Sequence, residues 1–223
     1  MYVSKTKVAD LVDALPESFW SRLSATVGLT IPPVRFDVSL RERPETRRTI
    51  RKRIEKALRR QGRLGPVDDP PPHVEGRPRY VVGDMTMRWA VHEEIRPQVV
   101  WFLGSTPGTL VALGGRARHL THVYPEELKD TSPSDAQLQH AEKQVVAQLA
   151  RMVEPGVEHD AGFSTRGSWV QDVVAVADYW RSELVDRVSF LAVVEEHCPA
   201  SESGLDPPSA VLLGSPVFVF RTG

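Results

Sequence analysis

Apolar residues recur along this chain with two different periods, and the period changes at one proline-rich stretch. Upstream of it, Val8, Leu11, Val12 and Leu15 stand at helical spacing, and Pro16 precedes a second helical stretch around Phe19, Trp20 and Leu23. Residues 34–40, VRFDVSL, alternate apolar and polar positions as a half-buried strand does, and a short strand is expected at Tyr2–Val3. Ile50, Ile54 and Leu58 then repeat every four residues, which places them on one face of a helix of about four turns. Pro44 and Thr46 open that helix, and Gly62 and Gly65 close it.

The stretch 62–78 holds three consecutive prolines, Pro70 to Pro72, together with Pro66, Pro78 and three glycines. Proline lacks the N–H that a helix interior or a central strand needs, so a surface loop is expected here. Downstream, residues 80–94, 98–105 and 108–115 are rich in Val, Trp and Phe and read as strands. The turn Ser105–Thr106–Pro107–Gly108 makes the last two a hairpin, with 116–123 continuing past a Gly114–Gly115 bulge. Ser132 to Asp135 cap a helix reaching about Met152, with Leu138, Ala141, Val145, Leu149 and Met152 on one side. Residues 169–198 read as one or two helices, with a strand over 173–180 as the competing assignment. Residues 210–222 form a C-terminal strand broken at Gly-Ser-Pro. The sum is an α+β fold: one domain over 1–223, a mainly antiparallel sheet of about five or six strands, packed helices, and 62–78 as a surface loop.

Composition narrows the class. The chain has 223 residues, 41% of them hydrophobic, which is enough to build a core covering about 70% of the unfolded surface. Its single cysteine, Cys198, excludes an internal disulfide and with it a staple-dependent secreted scaffold. No apolar run reaches the length of a membrane span, and the first residues lack the apolar core of a signal peptide, so a cytoplasmic protein without membrane contact is expected. The formal net charge of −1 hides a separation. Residues 41–63 hold eleven Arg and Lys against three Glu, a local +8, which leaves 17 basic and 26 acidic side chains, −9, for the remainder.

That basic helix suggests two partners. Arg47, Arg48, Arg51, Lys52, Arg59 and Arg60 could track nucleic-acid phosphates. The segment has no aromatic residue and only Gln61 as an amide, which favours charge matching with an acidic surface of the same chain or of a protein partner. Other chemistry is incomplete. The stretch 104–109, GSTPGT, lacks the lysine of a phosphate-binding loop, and no glycine cluster fits the dinucleotide pattern. His119 and His122 have nothing in the sequence to pair them with His197 and Cys198, so neither a metal nor a cofactor is expected. Ser105 and Ser215 sit in turns outside any G-x-S-x-G frame, which leaves a serine hydrolase as a distant alternative. On a strand Met85, Met87 and Trp89 share one face, and Arg88 faces the other way, where its planar donors could fork onto a carboxylate or phosphate.

Several short motifs occur in an order that resembles a largely actinobacterial family known only as a domain of unknown function. They are Tyr2-Val-Ser-Lys-Thr-Lys-Val8, Gly65-Pro-Val-Asp-Asp, Met87-Arg-Trp89, Val100-Trp-Phe-Leu-Gly104, Leu113-Gly-Gly115 with His119, Phe190-Leu-Ala192 and Leu213-Gly-Ser-Pro-Val-Phe-Val219. The chain departs from the pattern at Leu103-Gly104, where Gly-Gly is usual, and at Arg116, where a small residue is usual. The resemblance supplies no activity; it implies a stand-alone bacterial cytoplasmic domain, in a signalling or defence setting. The expectation is a non-catalytic sensing or adaptor module that binds a small ligand or a protein partner. Its surface would be built from Gly104, Ser105 and Thr106, Gly114, Gly115 and Arg116, with Arg88 and His119 nearby.

Overall fold

A period of two from Tyr80 onward gives each strand one face for a shared interior. The computed structural model of the chain describes residues 2–19, 44–92, 99–120, 168–179, 184–207 and 209–222. The elements are β1 (Tyr2–Val3), α1 (Lys5–Asp13), α2 (Pro44–Arg60), β2 (Leu64–Pro66), β3 (Tyr80–His92), β4 (Val99–Ser105) and β5 (Thr109–Arg116). After a 3-10 turn at Ala117–His119 come α3 (Ser168–Tyr179), β6 (Val185–Cys198), α4 (Ala200–Ser203) and β7 (Ala210–Arg221). The helix expected at 132–152, the strand at 34–40 and the stretch around Trp20 and Leu23 lie outside the described residues.

The sheet has seven strands rather than five or six, and it closes on itself. β3 pairs β4, β4 pairs β5, β5 pairs β7, β7 pairs β6, and β6 returns to β3 over Tyr80–Arg88. The result is a five-stranded barrel, antiparallel except where β5 runs parallel to β7. The two short strands extend its wall. β7 pairs β5 through Gly214 and then β1 from Phe218, while β3 carries β2 in parallel at Tyr80–Val82 and β4 from Met87. The expected break at Gly-Ser-Pro is therefore absent. Pro216 sits beside a register shift in the β6–β7 ladder, where a missing N–H is tolerated. Likewise, Leu64–Pro66 is a strand, and Leu64, Gly65, Val67 and Pro71 are buried, so only part of 62–78 is surface loop. β5 stops at Arg116 and gives way to the 3-10 turn instead of continuing.

Three apolar clusters hold this arrangement. Inside the barrel lie Met85, Met87 and Trp89 of β3, Phe102 of β4, Phe190 of β6 and Leu212 of β7, with Tyr2, Val67 and Leu120 packed among them. Outside one flank, Val8 and Leu11 of α1 and Ile50, Ile54 and Leu58 of α2 cover Tyr80, Leu191 and Phe218. Outside another, Trp169, Val170 and Val173 of α3 cover Trp101, Leu103 and Leu213. This explains the correction at 169–198, where one helix is followed by a strand and not by a second helix. β6 is covered on both faces, Phe190 and Ala192 inside and Leu191 and Val193 outside. A strand apolar on both faces loses its alternation and cannot be told from a buried helix by period. No helix among the described residues is long and apolar enough to cross a membrane.

Candidate functional site

The β4–β5 hairpin carries most of the residues expected to form a ligand surface, and it separates them. Gly104 and Ser105 lie at its turn, opposite Val111 and Leu110, whereas Gly114, Gly115 and Arg116 lie opposite Trp101, Val100 and Val99. Three residues of strand, about 10 Å, divide the nearest members of the two groups, and about 20 Å the outermost. Thr106 stays at the turn, where its hydroxyl donates to Asp68 Oδ1 and accepts the Thr109 N–H at 3.0 Å. Arg88 is exposed on the outer face of β3, in register with Leu103 and Val185. His119 is buried at the far end, its Nδ1 hydrogen-bonded to the Tyr2 hydroxyl at 3.2 Å. The eight residues do not converge.

The glycines among them are explained by packing. A β-carbon on Gly115 would stand 2.4 Å from the Tyr2 hydroxyl oxygen, and one on Gly114 would stand 2.9 Å from the Trp101 ring. At Gly104 it would meet the Thr86 carbonyl at 2.8 Å and the Met87 side chain at 2.9 Å. These glycines sit inside strands, and large side chains already fill the space beside them. In OB-type five-stranded Greek-key barrels, the outer face of the second and third strands takes oligonucleotides or oligosaccharides. Here those strands are β4 and β5, and α3 covers that face.

Ser215 is fully buried and its hydroxyl donates to the Gly114 carbonyl at 3.4 Å, while Ser105 is exposed at the hairpin turn, far from His119. Among the described residues, no three His, Cys, Asp or Glu side chains gather as metal ligands, and Cys198 is buried with its Sγ donating to the Pro199 carbonyl at 3.7 Å. One barrel end is closed by Asp186, which accepts from Trp89 Nε1 at 2.8 Å and from Arg221 Nε at 3.0 Å.

Two polar sites escaped the sequence reading. Near the start of β3, Arg79 donates from Nη1 to the Pro71 carbonyl at 3.3 Å. Burial lowers its pKa, against the pull of Glu196. His197 is also held below its ordinary value, first by burial, then by Arg79, with Glu202 opposing. The second site is a cleft of about 600 Å³ between α1, the end of α2 and the turn at Gly76. Asp10, Ala14, Gln61, Arg63, Gly76, Arg77 and Pro78 line it. Arg63 is clamped there: its Nε donates to the Pro78 carbonyl at 3.0 Å, and its guanidinium lies 5.4 Å from the centroid of the Tyr80 ring. That uses one of the five N–H groups a guanidinium offers. Burial raises the pKa of Tyr80, Arg63 lowers it and Asp10 raises it further, so the ring beneath Arg63 is a neutral phenol. Gly76 has φ +70°, a conformation that favours glycine and lets the chain turn back at the cleft wall. The participants lie at residue 10 and residues 61–80 and match no motif; the only local signal is the Gly62-Arg63 and Gly76-Arg77 pairing of turn and cation.

The basic helix is set with its cations outward. Ile50, Ile54 and Leu58 are fully buried, and Lys52, Lys56, Arg59 and Arg60 on the opposite side are exposed. The ion pair on α2 is internal, Arg51 to Glu55 one turn on. Among the described residues no carboxylate pairs with Lys52, Lys56, Arg59 or Arg60. The side chains of Arg47 and Arg48, at the start of α2, lie outside the described residues.

The chain matches a family of unknown function (DUF7019) over residues 1–222 and belongs to it. No curated protein and no solved structure matches the chain.

Proposed function

We propose that this family member is a non-catalytic sensing or adaptor module that holds a small anionic ligand in the cleft between α1, the end of α2 and the Gly76 turn. One observation carries the reading: two guanidiniums, Arg63 and Arg77, line the same cleft of about 600 Å³. Arg63 is already immobilised against Pro78 and Tyr80, so little side-chain entropy is lost when its remaining donors meet a carboxylate or phosphate. Arg77 supplies a second charge, and Asp10 and Gln61 can accept from or bridge to polar groups elsewhere on the ligand. The cleft lies in the size range of small-molecule sites. The dispersed placement of Ser105, Ser215, His119 and Cys198 supports binding without catalysis.

The test is a thermal-shift screen with inorganic phosphate, citrate and mononucleotides, followed by calorimetry on any that stabilise the protein. At a ligand concentration of 100 times Kd the stabilisation is about 2.7 kcal/mol, a readily measured rise in Tm. The Arg77→Gln variant should lose the shift while melting unchanged without ligand, and Arg63→Gln should lose the shift with a small drop in the unliganded Tm, since it also gives up the contacts to Pro78 and Tyr80. A ligand that stabilises both variants as it does the wild type would place the site elsewhere.

A further inference from the structure

We infer that the outer face of α2 binds the phosphate backbone of duplex nucleic acid without reading its sequence. Lys52, Lys56, Arg59 and Arg60 fall at spacings of three and four, hence on one stripe of the helix, diametrically across from the buried Ile50, Ile54 and Leu58. The stripe spans about 12 Å of helix. Among the described residues no carboxylate pairs with these four cations, so the face is open to a polyanion.

The composition of the face selects among polyanions. A stable protein interface has a desolvated centre with aromatic or aliphatic anchors, and the exposed side of α2 has none. An interfacial membrane helix must free its apolar face to enter lipid, and that face of α2 is committed to Tyr80, Leu191 and Phe218. Single strands are held largely by stacking on aromatic rings, which the stripe lacks. Cations without amides or aromatics suit phosphates, where released counterions drive association and base identity is not read.

The experiment is fluorescence anisotropy of the full chain with two labelled 20-base-pair duplexes of unrelated sequence, titrated across NaCl. Four phosphate contacts predict a log–log slope of about −3.6, hence about a hundredfold loss between 50 and 200 mM salt, equal for both duplexes. The Lys56→Gln, Arg60→Gln double variant should reduce the slope by about 2, with an unchanged melting curve, and Arg88→Gln should bind as the wild type. A slope near zero, a double variant that binds like the wild type, or tighter binding to poly-glutamate or to anionic vesicles would each overturn the assignment. The cleft variants Arg63→Gln and Arg77→Gln are kept out of this series, so the two readings fail separately.

Discussion

Two helices, α2 and α3, cover different flanks of one barrel, and they do it with opposite chemistry. α3, SWVQDVVAVADY, is apolar around most of its surface: Trp169, Val170, Val173 and Val176 are buried. α2, PETRRTIRKRIEKALRR, touches the barrel through a narrow stripe of Ile50, Ile54 and Leu58 and turns Lys52, Lys56, Arg59 and Arg60 outward. Covering the barrel accounts for the buried apolar residues of both helices, but it does not account for the cations. An exposed helix face gains only a few tenths of a kcal/mol from each well-placed ion pair, and among the described residues α2 makes one, Arg51 to Glu55. The contrast therefore separates a helix spent on packing from one that also presents a charged surface.

The largest expected effects test the half of the comparison the helices share. Trp169→Ala on α3 should cost about 3–5 kcal/mol and Ile54→Ala on α2 about 2–5 kcal/mol, read as a shift in urea midpoint. If Ile54→Ala proves nearly neutral, α2 is not anchored to the barrel and the comparison collapses. Next come the glycines. Gly115→Val and Gly114→Val must displace Tyr2 and Trp101, so each should cost about 1–3 kcal/mol; a wild-type melting curve in both would return them to the list of ligand-contacting positions. Smaller still, charge removal at Lys52, Lys56, Arg59 or Arg60 should leave stability within about 0.5 kcal/mol in each case. A clear loss there would mean the cations serve the fold after all.

The smallest effects are in pH. Tyr80, beneath α1 and α2, has its folded pKa raised by burial, so its contribution is complete below the ordinary tyrosine value of 10.0 and is lost as pH rises beyond it. Tyr80→Phe should flatten the alkaline limb of a stability curve. His197, between Arg79 and Glu202, has its folded pKa lowered, so its contribution is present above 6.5 and is lost as pH falls below it. His197→Gln should flatten the acid limb, leaving the alkaline one in place.

Legibility in the sequence followed the range of the interaction. The stripe of Ile50, Ile54 and Leu58 and the turn at Ser105–Gly108 were readable because each is encoded within a few residues. β6 was missed because burial of both its faces erased the alternation that marks a strand. For Gly104, Gly114 and Gly115 the sequence is ambiguous, because a glycine that makes room for a neighbour's ring looks the same as one that makes room for a ligand.

By itself, the order of residues determined an apolar core, a basic helix with one apolar stripe, a β-rich second half and membership of the family, all local or compositional properties. Tertiary structure alone decided that β6 would return to β3 across about a hundred residues of chain and close a barrel. It also placed Asp10 beside Arg63 and Arg77, and left the cations of α2 facing outward. Those outcomes depend on which distant surfaces meet. A period or a charge count carries no record of that, because neither changes with the partner against which a face is finally packed.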